Sequence, residues 1–359
     1  MTRVMFVALL VVFISSPITA HADDAVLNAM AERVIKEHIR PAYQTLAVES
    51  DKLHTSLKQL CAAPSSKRLF EVKRQFATTV LAFARIEYVR FGPMAEAYRL
   101  ERFAYWPDRK GRGARAVRLL LKQQNFDGLA PEIFHGKSVA VQGLTALELL
   151  LSSSNEEHPL LTSAFSCAYV VAIGDNLARL SKVVLKSWQT QTLLVKQMLT
   201  PDKGHQTYRN RQEVLQELYQ AMIVGFNNLH SLKITFPVGV EGSRARPKRA
   251  AFWRSSLSLP VIKAQYESLK HMVEVSGFLR LLPEVGVDLN AHVREVYTEI
   301  EQRLKVLEGL SMMAIVQDEK RLADLRFIAK RLQHLTAGFA RNFAIAADLP
   351  LGFNASDGD

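Results

Sequence analysis

Arg85-Ile-Glu-Tyr-Val-Arg-Phe-Gly-Pro93, then Arg99-Leu-Glu-Arg-Phe-Ala-Tyr-Trp-Pro107 and Gly143-Leu-Thr-Ala-Leu-Glu148, pack arginine, glutamate and aromatic residues more densely than a plain helical core needs. Outward from this stretch, apolar residues recur at helical spacing in both directions. Upstream, Val26, Met30 and Val34 lead to Leu46, Leu53 and Leu57, with Pro41 marking a kink or a restart. Ser65 and Ser66 are placed to cap a helix running to about residue 91, where Gly92-Pro93 ends it. Further helices are predicted over residues 95–105, 114–123, 139–151 and 159–197. Beyond Thr200-Pro-Asp-Lys-Gly204 they are predicted over 208–236, 259–282, 290–313 and 318–347. No stretch alternates apolar and polar residues between turns at strand spacing, so the chain reads as all-α. Long helices with short connections on both sides of 200–204 suggest two side-by-side helical bundles, over residues 23–200 and 205–359.

The first 22 residues read as an export signal: Arg3 is the charged start, Val4 to Ile14 the apolar run, and Ala20-His-Ala22 the small-residue cleavage site before Asp23. That run is too short to span a bilayer. Cleavage leaves 337 of the 359 residues and removes one cation from a formal charge of +11. A basic chain in the periplasm suits an anionic partner, such as a carboxylate ligand, a polysaccharide or a membrane surface, rather than nucleic acid. No later run reaches membrane-spanning length. Cys61 and Cys167 enter an oxidising compartment and could pair; the expectation is two buried free thiols, since nothing in the sequence places their Cα atoms within bonding range.

The ordered segments above resemble the imelysin family, also called imelysin-like or M75 proteins, marked by an Arg-Phe-Gly-Pro segment followed by a Gly-x-His-x-x-Glu box. Arg246-Pro247, Phe252-Trp-Arg-Ser-Ser-Leu-Ser-Leu259 and Leu351-Gly-Phe-Asn-Ala-Ser-Asp-Gly-Asp359 extend the resemblance over essentially the whole mature chain. It implies two helical bundles with a cleft between them, Arg254 near the Arg90 and Glu148 segments, and a link with iron and haem acquisition. It implies iron, haem or another divalent metal as the cofactor class, and other envelope uptake components as partners.

In the box, Thr145 stands at the histidine position. A threonine hydroxyl is a poor ligand for a transition metal, so only Gly143 and Glu148 of the box remain. Glu148 is then a ligand only if a metal binds at all; otherwise it is expected as a buried charge partner of Arg90 or Arg254. Arg85, Glu87, Arg90, Arg99, Glu101 and Arg102 either grip an anion or neutralise one another. Trp106 either stacks on a ligand or fills the core. Arg244, Arg246, Lys248 and Arg249 form either a docking patch or a solvated loop.

The histidines, including His38, His158, His205, His271 and His334, show no i,i+4 pair, and His-Glu-x-x-His, Gly-x-Ser-x-Gly and Walker patterns are missing. These features favour a binding or accessory protein of the cell envelope. Against it stand an M75-type metallopeptidase, with no catalytic residue assignable, and an acidic-polysaccharide-binding module.

Overall fold

The computed structural model describes residues 24–153, 158–189, 191–281 and 289–346, and among them no strand occurs. The export signal and the closing segment 351–359 lie outside the described residues. The α-helices in chain order are α1 (Asp24–Arg33), α2 (Arg40–Ala62), α3 (Ser66–Ala84), α4 (Arg99–Phe103), α5 (Arg112–Gln123), α6 (Pro131–Phe134), α7 (Gly143–Leu151) and α8 (Pro159–Thr162). They continue as α9 (Ala164–Ser187), α10 (Leu193–Leu199), α11 (Arg211–Asn228), α12 (Phe236–Val238), α13 (Ser258–Ser276), α14 (Leu289–Leu307), α15 (Met312–Gln317) and α16 (Glu319–Ala346). No helix among the described residues is long and apolar enough to cross a membrane.

Helix α2 forms because Tyr43, Leu46, Ser50, Leu53, Leu57 and Leu60 fall on one stripe and are buried together. It lies between α3 and α9. The close approach to α9 is made at Gly174, where a Cβ would sit 3.1 Å from the His54 Cα and 2.9 Å from a Leu57 methyl. A Cys61–Cys167 disulfide ties the end of α2 to the start of α9, with the Cα atoms 5.4 Å apart. This corrects the expectation of two free thiols: the antiparallel packing of α2 on α9 supplies the proximity that spacing could not.

The second set of long helices is α11, α13, α14 and α16, and it meets the first where α13 lies against α3. Helix α1 also packs on α11 and α13, beyond the 200–204 segment. The Arg33 guanidinium donates to the carbonyls of Val275 and Ser276 at 3.0 Å each, satisfying the open C-terminus of α13.

Three predicted helices are shorter than periodicity suggests. Helix α3 ends at Ala84, and Arg85–Phe91 descends in tight turns, because a run of Ile, Tyr, Val and Phe before Gly92-Pro93 favours helix weakly. Ala97 and Tyr98 take left-handed conformations, leaving only Arg99–Phe103 α-helical. The predicted 159–197 helix restarts at Ser163, whose hydroxyl accepts from the Ser166 N–H, and breaks again after Trp188. Between α1 and α2 a π-helical turn spans Val34–Ile39, just ahead of Pro41, which lacks the N–H that would continue the ladder.

That turn carries His38, whose Nδ1 lies 2.8 Å from Nδ1 of His271 on α13, while its Nε2 bonds the Tyr88 hydroxyl. Burial, and secondarily the neighbouring His271, hold the His38 imidazole down to about 3 from its ordinary 6.5. The unfolded chain therefore takes up this proton first as pH falls, and stability is lost between pH 6.5 and about 3. At pH 4 the loss from this group is expected to be about 3 kcal/mol, and comparing Tm against pH for the wild type and His38→Gln isolates it. Reduction of Cys61–Cys167, which closes a loop of 106 residues, is expected to cost ~2–5 kcal/mol in denaturant unfolding.

Candidate functional site

Helix α7 presents the box. Its first residue, Gly143, has φ +78°, and a Cβ there would stand 2.3 Å from the Arg102 carbonyl oxygen and 2.5 Å from that of Phe103. Only glycine lets the end of α4 seat against the start of α7. Thr145 and Glu148, three residues apart, then share one face, while Leu144, Leu147 and Leu151 are buried. The Thr145 hydroxyl accepts a bond from the Tyr105 N–H at 3.1 Å.

The facing wall is residues 247–255, where a 3-10 turn, Pro247–Arg249, leads into further turns with Phe252 at φ +53°. From this wall Ser255 donates to Glu148 Oε1 twice, through its N–H at 3.0 Å and its hydroxyl at 2.8 Å. Burial raises the Glu148 pKa, and it outweighs the Ser255 bonds and then the nearby Arg254, which act the other way. The Ser255 hydroxyl has a second acceptor at 3.2 Å, the Phe252 carbonyl. Its single hydrogen serves ionised Glu148; a protonated Glu148 can donate to Oγ instead, leaving that hydrogen for Phe252.

Between the walls lies a cleft of about 250 Å³, onto which Trp106, Thr145, Glu148 and Arg254 of the sequence-derived candidates open. The others sit elsewhere. Glu87 is buried with its Oε1 2.7 Å from Lys233 Nζ, close enough for an ion pair although not aligned as a hydrogen bond. Lys233 Nζ in turn lies 4.6 Å from the centroid of Trp106, so this pair supports Trp106 from beneath. Arg90 is exposed and off the cleft, which corrects its expected pairing with Glu148. Arg99 binds the Pro93 carbonyl and Glu96, Arg102 donates to the His135 carbonyl at 2.8 Å, and Glu101 also lies off the cleft wall.

Sequence reasoning assigned no cleft role to Asp108, Arg109, Phe236, Lys248, Arg249 and Trp253, all of which line it. The signal was present in two basic loops, 108–113 and 244–249, but neither loop alone says that it faces the other; the second reads equally as a docking patch or a solvated loop. Asp108 is occupied: its two oxygens accept from the N–H groups of Arg112 and Gly113 at 2.8 and 2.9 Å, starting α5. Trp106 Nε1 donates to the Arg249 carbonyl at 3.2 Å, joining the two basic loops.

A resident divalent metal fits this donor set poorly. The cleft lining holds no His or Cys, both oxygens of Asp108 are engaged by the α5 N-terminus, and Oε1 of Glu148 by Ser255. Among the described residues no group of three or more His, Cys, Asp or Glu is placed to hold a metal ion.

The imelysin profile, Peptidase_M75, matches residues 39–337. The chain belongs to the imelysin family. Its fold is similar to an imelysin-like protein from Psychrobacter arcticum 273-4, with a TM-score of 0.74, 20% identity, and 92% of this chain and 98% of that one covered. It is also similar to a "putative iron-regulated protein A precursor" from Parabacteroides distasonis ATCC 8503, with a TM-score of 0.69, 14% identity, and 92% and 96% covered. No curated protein is significantly similar to it in sequence.

Because Glu148 is held by neutral donors and burial favours its protonated form, Glu148→Gln is expected to cost only ~1 kcal/mol, its amide oxygen still accepting from Ser255. Glu148→Ala leaves the Ser255 donors unpaired and a void behind, and is expected to cost ~2–4 kcal/mol in urea unfolding.

Proposed function

We propose that this imelysin-family chain is a ligand-binding or accessory protein of the bacterial cell envelope, exported by a cleaved signal and associated with iron acquisition, and that it does not hydrolyse peptides. The observation that carries this reading is the engagement of the box itself. Thr145 Oγ1 accepts from the Tyr105 N–H, and Glu148 Oε1 accepts from Ser255 across the cleft. Zinc-dependent hydrolysis needs about three protein ligands and an activated water. With threonine at the box histidine position, no group of three such ligands is assembled among the described residues.

The family membership and the iron-regulated name of one structural neighbour support the iron link. The Cys61–Cys167 disulfide supports an oxidising compartment. A cleft of about 250 Å³ suits a ligand smaller than haem, and its lining offers Tyr105 but no His, Cys or Met as an axial ligand. Iron would then be cargo, carried within the ligand.

The test is native mass spectrometry of protein purified from its own periplasm, combined with a chelator control. The expected result is a mature chain beginning at Asp23, a small co-purifying ligand, and a Tm unchanged by dialysis against EDTA. Zinc-dependent peptide cleavage abolished by Glu148→Gln, or a large Tm loss on chelation, would overturn the reading.

A further inference from the structure

We propose that the cleft ligand is a small organic anion carrying at least two acidic groups, gripped by two separate pairs of cations. This rests on the binding-protein reading and names its ligand class. Arg109 and Arg249 lie 5.5 and 5.2 Å from the ring centroid of Phe236. Lys248 and Arg254 lie 5.7 and 4.5 Å from that of Trp253. All six residues line the same cleft.

Each aromatic ring therefore serves as a platform on which two cations are held, and stacking orders long side chains that would otherwise sweep through solvent. None of the four cations has a carboxylate partner among the described residues, although ion pairs are frequent elsewhere on this surface. Of the acids that share the cleft, only Glu148 acts on one of them, Arg254, and at a distance beyond an ion pair. Asp108 is held at the N-terminus of α5, and Glu148 accepts from Ser255 while burial favours its neutral form.

Four cations without an ion-pair partner, only Arg254 partly offset by Glu148, raise the local potential around a concave site and await an anion. Their division between two platforms calls for two acidic groups on one molecule, since a single carboxylate engages one pair only. Guanidinium forks select planar carboxylates or phosphates. The volume, about 250 Å³, falls below the ~300–1,000 Å³ usual for drug-sized ligands, which points to a small acid or a short acidic sugar. Trp106 adds an apolar face for the ligand body, fixed by the Arg249 carbonyl and by Lys233 beneath it.

Isothermal titration of the mature chain with citrate, glutarate, digalacturonate and acetate tests the proposal. At least one of the three polyacids should bind about tenfold or more tightly than acetate, and binding should weaken steeply with added salt. Citrate or glutarate in that place assigns a free polycarboxylate; digalacturonate assigns an acidic sugar. The double variant Arg109→Ala/Arg249→Ala should weaken binding of that polyacid about tenfold or more while its Tm stays unchanged. Arg244→Ala/Arg246→Ala, on the neighbouring exposed loop, should leave it unaffected. Failure of all three polyacids, no preference over acetate, or insensitivity to the cleft variant would overturn the ligand class. An uncharged ligand co-purifying in the cleft would overturn this inference and leave the binding-protein reading standing.

Discussion

A buried carboxyl group has to be satisfied where it sits, and Glu148, 3% exposed, is satisfied from the opposite side of the cleft by Ser255. The rest of the site depends on that contact. It ties α7 to the wall formed by residues 247–255 and fixes how far apart the two sides stand. Arg254, adjacent to Ser255, is thereby directed over Trp253, and Phe252 is held in its left-handed turn beside Ser255. On the other side, the same helix is registered by Gly143 beneath the Arg102 and Phe103 carbonyls.

The fold was legible wherever one stripe of apolar side chains decides burial. Leu46, Leu53 and Leu57 on α2, and Val214, Leu218 and Met222 on α11, are buried as their spacing predicts. It was less legible where local turns override periodicity. The Arg85–Phe91 run keeps helical spacing of apolar residues yet turns through short-range bonds, and its side chains face four different neighbours. Glu87 goes to Lys233, Tyr88 to His38 and Ser268, and Phe91 to Trp188. The Cys61–Cys167 bond and the His38–His271 contact join residues 106 and 233 positions apart, and spacing carries no information at such range.

The site was legible only in part. The Arg/Glu clusters of residues 85–102 attracted attention by density, but density there serves folding: Arg85 pairs with Glu267, Arg99 with Glu96, and Arg102 with a carbonyl. Trp106, Thr145, Glu148 and Arg254 do reach the cleft. Its cations arrive from two segments, Arg109 on one and Lys248, Arg249 and Arg254 on the other, which lie well over a hundred residues apart in sequence, and the grouping exists only once the fold brings them together. A basic loop read alone leaves docking patch and solvated loop open; the structure shows that the two loops place Arg109 and Arg249 on the same ring, Phe236.

The box in this chain is a structural joint. Gly143 is required by two backbone carbonyls, Thr145 accepts a backbone N–H, and Glu148 accepts another from Ser255. Each of the three positions thus has a task in seating α7 that needs no ion. A threonine at the middle position is compatible with that seating because its short hydroxyl reaches the Tyr105 N–H from the first turn of the helix. The cleft can therefore keep its shape while the chemistry at its centre changes, and ligand choice passes to the cations on its rim. These are exposed, free to vary in number and sign without disturbing the core, whereas Gly143 and Glu148 are not.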